Sequence, residues 1–283
     1  MTQAREQGNR LLRERQGGET LAAGAARIVR AGDPAEKVAV ARAVGAAWRA
    51  GRLGRIVQSA PPAMPERPGR PARPELLPPR DMPRRSMKGD RGRIALLHSL
   101  AHIELNAIDL AWDLIGRFAD RPMPRSFFDD WVRVGVEEAG HFSIIARRLG
   151  DLGAAYGDLP AHDGLWEAAQ ATGHSLLARL AIIPLVLEAR GLDITPSLIA
   201  QARNADDPET AKVLEIIYRD ELGHVSIGMR WFRFLCDRQR LAPEPTFHDL
   251  VRKHFRGRLK PPFNDPARSR AGLVSGFYKP MSL

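Results

Sequence analysis

Cysteine is almost missing from this chain. One residue, Cys236, in 283 excludes an internal disulfide and any thiolate-built zinc or iron–sulfur site within a single chain, so a reducing compartment is expected. Long apolar runs are missing too. The longest, residues 181–187, is far below the roughly 18–20 residues that cross a bilayer. The N-terminal MTQAREQGNR has charges with no apolar stretch behind them, unlike a secretory leader. The expectation is a soluble, cytoplasmic protein with no membrane partner. Aromatics make up only 6%, yet 44% hydrophobic residues are enough for a sizeable core.

Acidic residues are scarce at the two ends and abundant in the middle. The formal charge is +10, but residues 94–244 hold 15 Lys/Arg against 22 Asp/Glu, while the flanks together hold 28 against 11. An acidic centre lies between basic ends, which raises nucleic acid or another polyanion as a partner of the flanks. The preponderance of arginine, 37 of 43 basic residues, needs no such partner, since a GC-rich coding sequence produces it.

The pattern divides the chain into an N-terminal helical extension (1–60), a Pro/Arg-rich strap (61–92), a helical bundle (93–240) and a basic tail (241–283). In the extension Asp33-Pro34 reads as an N-cap with a first-turn proline, and Glu36 completes a capping-box spacing. Residues 61–91 carry nine of the 22 prolines, so neither helix nor sheet propagates there. From residue 92 to about 237 the apolar period is 3.6. One helix is expected over 94–118, stopped by Arg121-Pro122-Met123-Pro124, and a second over 127–149, ending at Gly150. A third is expected over 165–189 with Gly191 as its stop, then a short helix near 196–204, and a fourth long helix from Asp206-Asp207-Pro208 to Asp237.

Two of these helices carry the same pattern: Glu137-Glu138-Ala139-Gly140-His141 and Asp220-Glu221-Leu222-Gly223-His224. A carboxylate and an imidazole three residues apart on a helix share a face and can grip one ion. Either copy alone is weak evidence. The spacing across the repeat strengthens it: Glu104 precedes Glu138 by 34 residues and Glu188 precedes Glu221 by 33, with turns near both midpoints. Folding each hairpin antiparallel brings its two glutamates to one height.

Glu104, Glu138, His141, Glu188, Glu221 and His224 then form a set of four carboxylates and two imidazoles from four helices. That is the ligand set of ferritin-like di-iron or di-manganese carboxylate proteins. Oxygen and imidazole donors suit iron best, with manganese or a mixed Mn/Fe pair fitting the same donors. Four buried carboxylates without cations would repel one another prohibitively.

If Glu104 points inward, Leu97, Ala101, Ile108 and Ala111 share its face and belong in the core. Glu137 and Asp220 are candidates to accept hydrogen bonds from an imidazole four residues on. Gly140 and Gly223, mid-helix where glycine costs about 1 kcal/mol, read as room for a facing carboxylate or an oxygen species. Tyr218, one turn before Glu221, is a candidate catalytic redox or proton partner, although a core aromatic is the commoner role for such a residue. His98 and His102 lie on the wrong side of the first helix to be ligands, and His162 reads as structural. Trp112, Trp131 and Trp231 read as core.

The segments GRPARPELLPPRDMPRRS, HSLAHIELNAIDLAWD, VEEAGHF, YGDLPAHDGLW, LVLEARGLDITP, RDELGHVSIGMRWF and KPPFNDPARSRAG resemble the bacterial ferritin-like DUF455 family over about residues 20–275. By ligand pattern the chain is also distantly similar to the MiaE-type hydroxylases that act on hypermodified adenosine in tRNA. The resemblance implies an all-α fold, a ferritin-like four-helix bundle of two pseudo-repeated hairpins, and metal ligands at the same six positions. It also implies that residues 61–91 are a fixed strap. The leading functional expectation is an oxygen-dependent di-iron hydroxylase or monooxygenase using dioxygen and an external electron donor, as a monomer or dimer. The alternatives are a ferritin-type ferroxidase, which needs a storage shell that the long basic ends fit poorly, and an RNA- or protein-binding module with a structural metal.

Overall fold

The computed structural model describes residues 19–78, 81–82, 89–256 and 258–282. Residues 1–18 of the extension and much of 79–88 in the strap lie outside the described residues. The fold is all-α: among the described residues the only β-type pairing is an isolated parallel bridge between Leu76 and Ala161.

Two short helices begin the described chain, α1 (Leu21–Arg30) and α2 (Pro34–Arg49). The Thr20 hydroxyl accepts from Ala23 N, and the Asp33 carboxylate accepts from Glu36 N at the start of α2. Each cap satisfies a backbone donor that the helix itself leaves unpaired. Residues 61–78 then run as an ordered strap. Arg30 donates to Ala63 O, Gly69 N to Val29 O, and the Trp166 indole to Glu66 O. Gly69 lies so close to the Arg30 carbonyl that a Cβ has no space.

The long helices follow: α3 (Gly89–Arg117) and α4 (Arg125–Asp151), then α5 (Gly164–Ala171) and α6 (Leu176–Ile182), which passes through a π-helical turn (Ile183–Glu188) into α7 (Ala189–Asn204), and finally α8 (Pro208–Arg238). Helices α3 and α4 pack along each other, α7 along α8, and α4 against α8. Cross-helix contacts give the directions. Along α4 and α8 the partners run Asp130–Trp231, Glu137–His224, His141–Asp220 and Arg148–Asp207, so these helices are antiparallel.

The third helix differs from the expectation of one continuous helix over 165–189. It breaks at residues 172–175, and Gly191 does not stop it, because α7 continues to Asn204 with Pro196 inside. Pro184 has no N–H to give to the ladder, and the helix widens into the π turn there. The proline ring packs on Gly228 of α8, where a Cβ would lie 2.5 Å from Pro184 Cβ. Tertiary contact thus holds a geometry that local signals argue against.

The tail also departs from its description as merely basic. It folds as α9 (Pro243–His254), α10 (Asp265–Arg270) and α11 (Ser275–Tyr278), with Phe247, Leu273, Phe277 and Tyr278 buried in the main core. Leu97, Ala101, Ile108 and Ala111 are buried as the Glu104 face requires, as are Trp112, Trp131 and Trp231. Burial pushes the Cys236 thiol up to about 11, so it is inert at neutral pH.

Part of the segregated charge is used internally. Basic residues of the flanks pair with acids of the centre: Lys37 with Asp109, Arg67 and Arg70 with Asp163, Arg93 with Asp207, and Arg268 with Asp193. Lys37 and Arg268 are themselves 1% and 2% exposed. Among the described helices α3 alone is long and apolar enough to cross a membrane, with mean hydropathy 1.2 over 18 residues; 67% of that stretch is buried inside the protein, as in a core helix.

Candidate metal centre

All six residues singled out by spacing converge. Glu104 comes from α3, Glu138 and His141 from α4, Glu188 from the end of the π turn, and Glu221 and His224 from α8. Potential ligand atoms of Glu104, Glu138, His141 and Glu221 lie within 4.8 Å of one another, as do those of Glu188, Glu221 and His224. Glu221 belongs to both groups. Glu138 also spans the two halves, with Oε2 3.2 Å from His141 Nδ1 and Oε1 3.0 Å from His224 Nδ1. His141 Nδ1 is also 3.3 Å from Glu104 Oε2. The two imidazole centroids are 5.8 Å apart. Five of the six are buried; Glu188 is half-buried.

Both imidazoles point Nδ1 inward and Nε2 outward. Glu137 and Asp220 receive the outward nitrogens, but across the helix pair. His224 Nε2 lies 2.9 Å from Glu137 Oε2, and His141 Nε2 lies 3.2 Å from Asp220 Oδ2. The expected partner four residues along the same helix is therefore replaced by its counterpart on the other. Antiparallel packing of α4 on α8 sets each acid opposite the other helix's histidine. A carboxylate on Nε2 holds that nitrogen protonated and leaves Nδ1 as the ligand atom.

No lysine or arginine forms an ion pair with Glu104, Glu138, Glu188 or Glu221 among the described residues; their cationic partners are the two histidines. Burial, then the charge of Glu138, pushes Glu104 up to about 7 and Glu188 up to about 8, and raises Glu221 well above the usual range. Burial alone would raise Glu138 as well. The His224 charge and the hydrogen bonds from both imidazoles outweigh it and hold Glu138 well below the carboxylate range. Burial likewise opposes protonation of His141 and His224, yet the surrounding carboxylates raise both. The ionised form is thus favoured at Glu138, between the two imidazoles, and the protonated form is favoured at Glu188 and Glu221, with Glu104 balanced near neutral pH.

Protons are a partial solution, because donors remain unused. Glu104 Oε2, Glu188 Oε2 and Glu221 Oε2 are buried without a hydrogen bond. Such atoms are costly unless a cation meets them. Carboxylate oxygens with imidazole nitrogens, without sulfur, fit iron, manganese or zinc. The cluster is compatible with a metal site.

Gly140 and Gly223 each border open space: a Cβ at either would meet nothing within 4 Å. The expected room is present, but no carboxylate fills it. Tyr218 belongs to neither ligand group; its hydroxyl accepts from Asn264 Nδ2 at 3.1 Å. His98 and His102 are buried on another side of α3. His98 Nε2 accepts from Gly157 N and Leu159 N, and His102 contacts the Tyr156 hydroxyl and His162 O. Burial lowers His102 to about 4, so it stays neutral, and these rings fasten the loop after α4. The His162 ring accepts from Gly164 N. Sequence patterns did not reveal Tyr156 in this network or the π turn at Glu188; Pro184 was the available signal for the latter.

The description "Protein of unknown function (DUF455)" covers a family whose pattern matches residues 30–279. The chain belongs to the DUF455 family. A relative from Haemophilus influenzae (strain ATCC 51907 / DSM 11121 / KW20 / Rd), described as "Uncharacterized protein", is 42% identical over 204 residues, covering 70% of this chain and 71% of the relative. No solved structure matches. The family match contains every residue of the cluster.

Proposed function

We propose that this DUF455 protein is a ferritin-like di-iron carboxylate oxidoreductase of the oxygen-dependent hydroxylase type. The observation that carries the reading is the pairing of uncompensated buried donors with pseudo-twofold symmetry. Four helices supply four glutamates and two histidines, and Glu138 and Glu221 each reach both halves. A single-ion structural site has no use for that duplication, whereas a pair of ions would be held by all six residues.

In this reading Glu104 and His141 serve one ion, Glu188 and His224 the other, and Glu138 and Glu221 lie between. When bound, two irons supply the electrons that reduce dioxygen. The chain's own residues then have definite tasks. Asp220 and Glu137 fix the imidazole tautomers. The three carboxylates with raised affinity for protons release them as metal enters. Ala101, Ile108 and Ala139, each buried, keep water from the cluster.

The test is metal content and absorption of protein loaded anaerobically with ferrous iron and then exposed to oxygen. Near two irons per chain and a new near-ultraviolet charge-transfer band are expected, both lost in Glu138→Ala. One redox-silent ion, retained in that variant, would overturn the reading. A large multisubunit shell that accumulates iron would favour iron storage instead.

A further inference from the structure

A cleft of about 430 Å³ opens at one end of the long helices, whereas the cluster lies near their middle. It lies between the α3–α4 turn, the α5–α6 turn and the C-terminal end of α8. Arg238, which borders it, is 17 residues beyond Glu221 on α8, roughly 25 Å along a helix. The cleft is therefore separate from the proposed centre, and its chemistry is independent of whichever metal that centre takes.

Its lining has two chemistries. Arg121, His174, Arg238 and Gln239 present polar groups at the mouth, and Leu176 and Leu235 form part of an apolar floor. None of the lining residues is acidic. Arg238 Nη1 donates to Pro122 O at 2.7 Å, and its guanidinium lies over the Phe234 ring, which fixes its position while leaving other donors free. Asp120 approaches Arg121 through Nε at 3.7 Å, so the Nη groups remain available. Behind His174 stands His254, with ring centroids 5.2 Å apart. Burial, then the charges of His174 and Lys253, holds His254 below the usual histidine value. Neither ring forms an ion pair with a carboxylate among the described residues.

We infer that this cleft binds a small organic phosphate, its phosphate held by Arg121, Arg238 and His174 and its apolar body seated on Leu176 and Leu235. Two guanidinium groups and an imidazole at one mouth match a dianionic phosphate, and Arg recognises its oxygens through paired N–H donors. The apolar floor gives no advantage to the bare ion and favours a phosphate carried on a hydrocarbon or aromatic group.

The test is calorimetric titration of the full-length protein with phenyl phosphate and with inorganic phosphate, in wild type, Arg121→Glu, His174→Ala and Glu138→Ala. Saturable binding of phenyl phosphate is expected, about tenfold tighter than inorganic phosphate, and weakened about tenfold or more in each cleft variant. Glu138→Ala should bind as wild type does, which separates this result from the fate of the metal reading. Circular dichroism checks that the Arg121 and His174 substitutions leave the fold intact. Absence of saturable binding, affinity unchanged by the cleft substitutions, or inorganic phosphate bound as tightly as phenyl phosphate would each overturn the inference.

Discussion

Helix α3 buries three carboxylates, and they meet two different fates. Asp109 is answered by Lys37, which also donates to Ile28 O and Val29 O. Asp113 is answered by Arg179 and Arg117, and Arg179 further donates to Thr172 Oγ1 and Ala169 O. Glu104, at 3% exposure, receives no lysine or arginine among the described residues. In the first two a lysine or arginine of the chain compensates the buried charge, although Asp109 Oδ2 itself is buried without a hydrogen bond. The third belongs to a cluster whose cationic partners are two histidines. This protein can therefore neutralise buried acids with lysine and arginine, and among the described residues it uses neither at Glu104, Glu138, Glu188 and Glu221.

The largest expected effect lies on the compensated side. Lys37→Met leaves Asp109 buried and unpaired, and should lower unfolding free energy by about 3–5 kcal/mol in urea denaturation. Glu104→Gln in metal-free protein should cost little, since burial favours the neutral form of Glu104 and glutamine keeps a neutral group in its place. If Glu104→Gln proved as damaging as Lys37→Met, the two sites would not differ in kind.

Next comes pH. Glu104 and Glu188 are raised to about 7 and about 8 in the folded state, so the folded protein holds their protons more tightly than the unfolded chain does. Their contribution to stability is complete below about pH 4.5 and is lost as pH rises through 7 and 8. Metal-free protein should lose on the order of 3 kcal/mol between about pH 6 and 9, followed by thermal melts across that range. Saturating metal should flatten the profile, because cations replace the protons. A metal-free profile that is flat from the start would break the contrast.

A smaller effect is expected one contact further out. Asp220→Asn and Glu137→Gln should each weaken metal binding by about 10–100-fold without abolishing it, measured by competition with a chelator. Because the contacts cross, Asp220→Asn should perturb the half containing His141, and Glu137→Gln the half containing His224. The smallest effect is a control: Asp33→Ala at the α2 cap should cost about 1 kcal/mol and leave metal affinity unchanged.

Much of the centre was legible because helical geometry constrains it. A carboxylate and an imidazole at i and i+3 lie on one face in any α-helix, so Glu138–His141 and Glu221–His224 needed no knowledge of the neighbours. The 34- and 33-residue separations carried the turn positions. Helices α2 and α8 declare their starts through Asp33-Pro34 and Asp207-Pro208, which act within one turn. The third helix was misread because its signals are non-local: Pro184 is accommodated by Gly228 on another helix, and Pro196 is carried inside α7. Glu137 and Asp220 meet the imidazole of the opposite helix and not the one four residues on, since an interhelix contact depends on direction and register.

The basic flanks mark the same boundary. Composition recorded an acidic centre between basic ends, and the structure sends Lys37, Arg70, Arg93 and Arg268 inward to acids of that centre. By itself the sequence determined what is local or periodic: the helical class, the caps, and the face on which each ligand projects. Only the tertiary structure decided which faces meet, at what height and in which direction. Those choices place Glu138 between two imidazoles, cross the outer hydrogen bonds, and separate acids that meet a lysine or arginine from acids that meet none among the described residues. Periodicity fixes an angle about one helix axis, whereas the distance between charges on different helices exists only after packing.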